Sequence, residues 1–210
     1  MKISLIQKSI KWLSPDENRA SWEEWIAKCI CHDLVVLPEM FTTGFCSETH
    51  RCAESGEQTL EWMKQMSKRY YCSIMGSVSV SVEDGCYNRL YITRPDGSHM
   101  TYDKRHLFTY GNEQKFYKAG QERPIVEING VKILPIICYD LRFPVWTRNK
   151  AHRSEGTEIA DYDVMICVAN WPHPRRSRWD ILLRARAIEN VSYVCGVNIV
   201  GDDPHGRYSG

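Results

Sequence analysis

The chain has 210 residues, 43% of them hydrophobic and 25% charged, a composition typical of a folded globular protein rather than a disordered or fibrous one. A domain of this size can bury a large apolar core. The 27 Lys and Arg residues nearly balance the 26 Asp and Glu residues, so the net charge of +1 does not indicate a nucleic acid or an anionic membrane as a partner.

Targeting and cofactor signals are lacking in the sequence. The longest apolar runs, such as Val164 to Ala169, are far too short to span a bilayer, and lysines interrupt the N-terminal segment where a signal peptide would be apolar. The nine cysteines are odd in number and form no dense framework, which favours reduced thiols and a cytoplasmic protein. No CxxC or HExxH spacing occurs, so we expect no metal and no other cofactor.

The first half of the chain predicts helices alternating with strands. A helix is predicted from Ser14, the expected cap, with apolar positions at helical spacing. These positions are Trp22, Trp25, Ile26, Cys29 and Ile30. The apolar run Leu34 to Pro38 predicts a buried strand. A capping-box pattern predicts a second helix from about Ser55, with Leu60, Met63, Met66 and Tyr70 directed inward.

Hairpins follow in the middle of the chain. From Ser73 to Thr101 the hydrophobic period changes to two, and Pro95 to Gly97 predicts a turn. Asn129-Gly130 predicts a second hairpin that joins Ile125–Ile128 to Val131–Cys138.

The last third predicts a return to alternating helices and strands. Its predicted elements are a short helix from Pro144, a polar loop from His152 to Asp161, a strand from Tyr162 to Ala169, a helix opening at Ser177 with Trp179, Leu182, Leu183 and Ala187 on one face, and a strand from Tyr193 to Ile199. From Gly201 to Gly206 we expect a turn, with the chain stopping at Gly210 before a return strand forms. This order of elements predicts a layered α/β domain with mixed sheets.

Reactive side chains stand just past several predicted strands, where ligands bind in open α/β sheets. Glu39, Lys104 and Cys138 each follow such a strand, and Asn170-Trp171 follows the strand that ends at Ala169. A thiol, a carboxylate to take its proton and a cation to stabilise an oxyanion supply the groups that acyl transfer needs. Each residue alone is more typical of a core position or a surface charge, so the combination carries the hypothesis.

Three segments resemble the signature motifs of the nitrilase superfamily of carbon-nitrogen hydrolases, in the family's order. They are Leu37 to Phe45, Asp103 to Phe108 and Cys138 to Pro144. Within the superfamily, Tyr102 to Phe108, Ala169 to Pro172 and Arg186 to Asn190 resemble the omega-amidase branch, which hydrolyses the terminal amide of 2-oxo-dicarboxylic acid monoamides.

The resemblance implies an α-β-β-α sandwich with two mixed sheets and a catalytic triad of Glu39, Lys104 and Cys138. A second glutamate of the family matches Glu113. It also implies a small amide substrate and a homodimer. For the substrate, we expect contacts from Phe45, Tyr139, Asn170 and Trp171.

Some interpretations stay open at this point. A related N-carbamoyl amino acid hydrolase, a true nitrilase or an inactive interaction module would share the motifs. The arginines from Arg175 to Arg186 are expected to form a solvated face or internal ion pairs, although one of Arg175, Arg176 and Arg178 could hold a substrate carboxylate. His106 is expected to serve packing or hydrogen bonding. Residues 1–210 are expected to form one domain that lacks the family's C-terminal strands.

Overall fold

The structure, a computed structural model, describes residues 1–29, 31–55, 57–154 and 157–210. The helices are α1 (Pro15–Ile26), α2 (Thr49–Cys52), α3 (Gln58–Tyr70), α4 (Pro144–Thr147) and α5 (Arg176–Asn190). The strands are β1 (Ile3–Leu5), β2 (Leu34–Val36), β3 (Glu54–Ser55), β4 (Ser73–Val82), β5 (Gly85–Thr93), β6 (His99–Asp103), β7 (Val126–Ile128), β8 (Val131–Ile137), β9 (Ala151–Ser154), β10 (Thr157–Ala160), β11 (Val164–Ala169), β12 (Tyr193–Asn198), β13 (Val200–Asp203) and β14 (Gly206–Ser209). Short 3-10 helices occur at Thr109–Gly111, Glu113–Lys115, Cys138–Arg142 and His173–Arg175.

Two mixed sheets form the centre of the molecule. In the first sheet the strand order is β1-β2-β4-β5-β6, with β3 also paired to β4; β1, β2 and β4 are parallel, whereas β5 and β6 are antiparallel to their neighbours. In the second sheet the order is β12-β11-β8-β7, with the first three strands parallel and β7 antiparallel. The parallel strands of each sheet therefore end at a common edge.

Three apolar clusters define the layers. One lies between the two sheets and contains Met75 and Ile137. A second packs α1 and α3 on the outer face of the first sheet through Trp22 and Met63, and a third packs α5 on the second sheet through Trp179. The predicted α-β-β-α sandwich is confirmed.

The predicted start of α1 is correct, but its cap and its length are not. The Ser14 hydroxyl donates to the carbonyl of Trp12 at 3.1 Å instead of capping the helix. The helix ends at Ile26, so Cys29 lies beyond it, and residue 30 is outside the described residues. Trp25 is 43% exposed, and its ring carries the Lys28 ammonium 4.6 Å from its centroid. The indole therefore lies against the lysine ammonium rather than in the core.

The second predicted helix begins later than its capping-box pattern indicates. Ser55 belongs to β3, and residue 56, part of that pattern, lies outside the described residues. Helix α3 begins at Gln58, and the Glu54 carboxylate accepts the backbone N–H of Thr59 at 3.2 Å and its hydroxyl at 2.6 Å. Glu54 thus satisfies a free N–H of the first turn, the task that the pattern assigned to Ser55. Of the predicted inward positions, Leu60, Met63 and Met66 are buried, and Tyr70 packs against the same cluster half-buried.

Both predicted hairpins are confirmed. Gly97 takes φ +87° between β5 and β6, and Asn129 and Gly130, with φ +50° and +76°, join β7 to β8 as a two-residue turn requires. A further turn at Glu83 and Asp84 divides the predicted period-two segment into β4 and β5.

Two predictions about loops are wrong. In place of a polar loop from His152 to Asp161, the backbone pairs β9 with β10, with residues 155 and 156 outside the described residues. At the other site a return strand does form, because β14 pairs antiparallel with β13. The turn between them is closed by the backbone N–H of His205, which donates to the Asp203 carboxylate at 2.7 Å, and by Gly206 at φ +127°.

The remaining predicted elements are confirmed with small changes at their ends. Helix α4 starts at Pro144, and β11 and β12 occupy the two predicted apolar strands. Helix α5 starts one residue early at Arg176, with Trp179 buried and Leu182 and Leu183 packed half-buried beside it.

Candidate active site

The two sheets bring four chain segments to one end of the sandwich. Glu39 lies just past β2 and Lys104 directly past β6 of the first sheet, whereas Cys138 and Asn170 directly follow β8 and β11 of the second. The backbone N–H of Asn170 donates to Glu39 Oε2 at 2.8 Å, and its side-chain amide donates to the Glu39 carbonyl at 2.8 Å. Asn170 therefore fixes the carboxylate of one sheet against the strand end of the other.

A fully buried ion cluster lies at this junction. Lys104 Nζ is 2.8 Å from Glu39 Oε1 and 3.0 Å from Glu113 Oε2, and all three side chains are 0% exposed. The backbone N–H of Phe108 holds Glu113 from the other side at 2.6 Å. Glu113 stands in a short 3-10 helix rather than on the surface, so the structure brings it together with the other predicted site residues.

Asn88 belongs to this cluster and was missed by the sequence analysis. Its side-chain Nδ2 donates to Glu39 Oε1 at 2.9 Å and to Glu113 Oε1 at 3.2 Å. In β5, Asn88 shares a strand face with Leu90 and Ile92, both of which are buried between the sheets. An amide at an inward position of an apolar strand is the signal that could have identified it.

Cys138 occupies a strained turn at the end of β8. Its φ of +45° lies in the left-handed region, which costs a residue with a Cβ of order 1 kcal/mol or more. The turn is held by Asp140, whose buried carboxylate accepts the backbone N–H of Ile137 at 3.0 Å and the Tyr102 hydroxyl at 2.7 Å. The same carboxylate accepts the backbone N–H of His106 at 2.8 Å and lies 2.8 Å from its Nδ1.

These bonds tie the turn at Cys138 to the loop that starts at Lys104. The His106 ring stacks on Phe143 with centroids 3.6 Å apart, so the histidine serves packing and hydrogen bonding, as predicted. Tyr139 comes directly after Cys138, and its backbone N–H is among the first of a 3-10 helix, where such groups lack an intrahelical partner.

The electrostatics of the cluster set the protonation states. Burial by itself lowers the pKa of Lys104, but attraction to Glu113 and then to Glu39 outweighs it, and the pKa of the ammonium is raised above its ordinary value. Burial, followed by repulsion from Glu39, raises the pKa of the Cys138 thiol well above its ordinary value, although Lys104 opposes the shift. At neutral pH the site therefore holds a neutral thiol beside a charged lysine. Burial also raises the pKa of Glu113.

A pocket of about 890 Å³ opens above Cys138 and Lys104. The four residues predicted to contact substrate, Phe45, Tyr139, Asn170 and Trp171, all line it. Further aromatic side chains from Phe108 and Tyr110 continue the wall. The pocket thus joins the Cys138 thiol to an apolar and aromatic chamber of the size that binds small molecules.

The outer wall of the pocket is cationic. Arg142, Arg175 and Arg207 line it, and within the described ranges no Asp or Glu side chain does. Arg142 lies 4.9 Å from the centroid of Trp171, and Arg175 lies 5.3 Å from that of Phe108. Of the three arginines considered from the sequence, Arg175 lines the pocket, whereas Arg176 and Arg178 are exposed and lie outside its lining.

The remaining arginines of the cluster, Arg184 and Arg186, lie on helix α5. Arg186 is buried, donates to the carbonyl of Leu141 at 2.7 Å and pairs with Glu189 at 2.8 Å. This is the internal ion pairing predicted for part of the arginine cluster. Arg184 is exposed on the same helix.

Comparison with known proteins identifies the class. The family model for carbon-nitrogen hydrolases matches residues 2–210, and the chain belongs to this family. It is 43% identical to omega-amidase YafV of Yersinia enterocolitica, over 99% of this chain and 78% of that protein, and 37% identical to 2-oxoglutaramate amidase of Bacillus subtilis, over 99% and 80%. A crystal structure of a CN-hydrolase superfamily protein from Xanthomonas campestris, with an arsenic adduct in its active site, superposes with a TM-score of 0.93 at 42% identity, over 99% of this chain and 78% of that one.

Two further findings concern the predicted absences. Among the described residues, no group of three or more His, Cys, Asp or Glu side chains is arranged to hold a metal ion. No helix in the described part of the chain is long and apolar enough to cross a membrane.

Proposed function

We propose that the protein is an omega-amidase, which hydrolyses the terminal amide of a small 2-oxo-dicarboxylic acid monoamide to the acid and ammonia through a thioester on Cys138. The observation that carries the proposal is the Cys138 thiol in one pocket with Lys104, whose buried ammonium is paired with the Glu39 and Glu113 carboxylates, while arginines line the same pocket. The relatives named as omega-amidase and 2-oxoglutaramate amidase support this substrate class.

The first half of the reaction forms the acyl-enzyme. Because the pKa of the Cys138 thiol is raised, the thiol needs a base, and Glu39 takes its proton as sulfur attacks the amide carbonyl carbon. The Lys104 ammonium and the backbone N–H of Tyr139 stabilise the oxyanion. Glu39 then returns the proton to the leaving nitrogen, the C–N bond breaks, and ammonia departs.

The second half consumes one water. Glu39, assisted by Glu113, takes a proton from water as the oxygen attacks the thioester carbonyl, and the C–S bond then breaks to release the acid and restore the thiol. Lys104 remains charged throughout because two carboxylates raise its pKa, so it acts as an electrostatic donor rather than as a base.

We infer that Asn170 recognises the substrate amide. Its Oδ1 atom is buried and accepts no hydrogen bond within the described chain, whereas its N–H groups are engaged with Glu39. A carbonyl oxygen without a donor in the described structure, on a residue that lines the same pocket as Cys138, is the acceptor that an amide N–H requires. This arrangement favours an amide over a nitrile, which has no N–H to donate.

The outer arginines supply the second point of recognition. Arg142 and Arg175 are half-buried, and among the described residues neither is paired with a carboxylate, so both are available to a substrate anion. The single carboxylate of a 2-oxo-acid monoamide meets this need while its amide reaches Cys138. Phe45 and Trp171 cover the short carbon chain between the two ends.

Ammonia release over a panel of substrates tests the proposal. We expect turnover of 2-oxoglutaramate and 2-oxosuccinamate and much slower turnover of neutral amides, nitriles and N-carbamoyl amino acids. Hydroxylamine added during turnover is expected to divert the acyl group to a hydroxamate, and EDTA to leave the rate unchanged. Carbon dioxide released with ammonia would indicate a carbamoyl hydrolase, and no turnover of any substrate would indicate an inactive interaction module.

We also propose a homodimer that forms through the end of α5. Ile181 and Ile188 lie two turns apart on one helix face, and together with Val191 and Tyr193 they are 66 to 92% exposed. Exposed apolar side chains grouped in this part of the chain are typical of an interface. Light scattering should give the mass of two chains, and Ile188→Glu should give one. A monomeric wild-type protein at micromolar concentration would contradict this assembly.

For cellular location, we propose the cytoplasm. All nine cysteines are free, including the exposed Cys31, an arrangement that is maintained in a reducing compartment. Fractionation with detection of the native protein tests this proposal, and recovery from an oxidising compartment would contradict it.

A further inference from the structure

Glu39 and Glu113, the two carboxylates that pair with Lys104, accept hydrogen bonds from the same number of N–H donors. Glu39 receives N–H groups from Lys104, from Asn88 and from the backbone of Asn170. Glu113 receives them from Lys104, from Asn88 and from the backbone of Phe108. Lys104 and Asn88 are therefore the two side chains that bridge both carboxylates.

The charges of the cluster do not balance. Two carboxylates and one ammonium leave a net charge of −1 among side chains that are 0% exposed. Lys104 compensates one of these charges. The neutral amide of Asn88 adds a second donor that bridges both carboxylates and leaves the net charge of the cluster unchanged.

This orientation of the Asn88 amide leaves one buried acceptor without a hydrogen bond from the described residues. Its Oδ1 atom is buried and accepts no hydrogen bond from the described chain. Rotating the amide by half a turn would place that oxygen against two carboxylates, where like partial charges repel. An unsatisfied buried acceptor is rare in folded proteins, and here it accompanies two N–H bonds to the carboxylates.

We propose that Asn88 is a positioning residue, which holds the Glu39 carboxylate directed at Cys138 by bridging it to Glu113. The inference rests on the proposed function, since Glu39 is the base of that reaction. Asn88 is 0% exposed and does not line the pocket, so it acts through the carboxylates and not on the substrate. A carboxylate that loses a hydrogen-bond donor takes up a proton at higher pH.

The substitution of Asn88 does not change the other titratable groups around the cluster. They are Cys138, which faces Glu39 from the second sheet, Cys167 on β11, Asp140 beneath the nucleophile turn, Tyr117 beside Glu113 and Tyr208 on β14. None of them contacts Asn88 through a hydrogen bond in the described structure.

The pH dependence of Cys138 alkylation tests the proposal without any substrate. When iodoacetamide reacts, sulfur displaces iodide and the thiol proton passes to Glu39. The acid limb of the pH–rate profile, where the alkylation rate falls as the pH is lowered, therefore reports on Glu39 as the base. Mass spectrometry of the Cys138 peptide separates this reaction from that of the other thiols. In Asn88→Leu we expect the limb to move up by about one pH unit, which lowers the rate about tenfold on its acid side.

Asn18→Leu is the matched control. Asn18 is 2% exposed, and its Nδ2 also donates two hydrogen bonds, both of 2.7 Å, but to the backbone carbonyls of Lys11 and Thr42 instead of to carboxylates. This variant loses a buried amide of the same kind, so it should be destabilised without any movement of the acid limb.

Asn88→Asp is a second variant for the case in which Asn88→Leu does not fold. It keeps the size of the side chain, replaces the donor by a third carboxyl group, and should move the acid limb upward as well. An unmoved or lowered limb in a folded Asn88 variant would overturn the inference. If the wild-type protein hydrolyses no amide but the acid limb moves as expected in the Asn88 variants, the proposed function fails and the positioning role stands. If the wild-type protein hydrolyses the amides but the acid limb does not move, the proposed function stands and the positioning role fails.

Discussion

The site has an inner half, the buried ion cluster at Lys104, and an outer half, the arginine-lined wall of the pocket, and their charges lie in two different settings. In the inner half, Glu39, Lys104 and Glu113 are fully buried, and each is held by hydrogen bonds from at least two chain segments. In the outer half, Arg142 and Arg175 are partly exposed, and aromatic rings rather than carboxylates lie against them. The inner charged groups have hydrogen-bonded partners within the chain, whereas the outer arginines have no carboxylate partner among the described residues.

We therefore expect the inner charges to affect the chemical step and the outer arginines to affect substrate affinity. Buried groups with fixed partners act in a low dielectric and cost little reorganisation during reaction, so changes there should lower kcat. Partly exposed cations are screened by water and salt, so changes there should raise KM by smaller factors. Variants of the two halves therefore test the comparison directly.

The largest effect is expected for the nucleophile. Cys138→Ser should lower kcat on the order of 10⁴-fold or more, because a serine hydroxyl beside Glu39 is a far poorer nucleophile than the thiol. Ammonia release measures the loss. Cys167→Ala is the control: Cys167 is fully buried in the cluster beneath α5 and should keep most of the activity. Equal losses in both variants would contradict the assignment of the thiol.

A smaller but still large loss of kcat is expected for Glu113→Gln. The substitution keeps the shape and removes one of the two carboxylates that raise the pKa of Lys104. We expect kcat to fall roughly 10²- to 10³-fold, in the range found when one electrostatic group of an active site is removed, with little change in KM. Glu127→Gln, on the exposed edge of β7, is the control. A rise in KM at unchanged kcat would instead place Glu113 in substrate binding.

In the outer half, Arg142→Met and Arg175→Met should each raise KM for 2-oxoglutaramate by about tenfold, as the loss of one charge-assisted hydrogen bond predicts. The slow turnover of a neutral amide should not change, because that substrate has no carboxylate to bind. Arg178→Met is the control, since Arg178 is exposed and lies outside the pocket lining. Similar losses on anionic and neutral amides would show that these arginines support the fold instead.

The residues that could be predicted from the sequence are those that follow apolar strands. Glu39, Cys138 and Asn170 stand where parallel strands end, and strand ends meet at one edge of a sheet whatever the detailed register. The same local logic located the hairpin at Asn129-Gly130, because two successive positive φ values are encoded by the dipeptide itself.

The features that could not be predicted depend on contacts between distant segments. Asn88 lies in the middle of a strand, and its role comes from carboxylates 49 and 25 residues away in sequence. Arg175 was not separable from Arg176 and Arg178, because the turn after Trp171 decides which side chain enters the pocket. The start of α3 was misplaced for a similar reason, since Glu54 supplies the cap from a strand.

The smallest expected effect concerns stability and a thiol outside both halves of the site. Cys72 is 1% exposed, and burial raises the pKa of its thiol to about 11, whereas an unfolded cysteine ionises near pH 8.5. Below about pH 8.5 both states hold the proton, and the group does not affect the free energy of unfolding. Between about pH 8.5 and 11 the unfolded state loses the proton first, so stability falls as pH rises.

Urea unfolding under reducing conditions at pH 7.5, 9 and 10.5 measures this decline. Cys72→Ala should reduce the loss of stability between the two higher values, even though the cavity lowers stability at every pH. Cys31→Ala should leave the slope as it is in wild type, because the exposed Cys31 side chain meets water before and after unfolding. An equal slope in Cys72→Ala and wild type would mean that the Cys72 thiol ionises as readily in the folded chain as in the unfolded one.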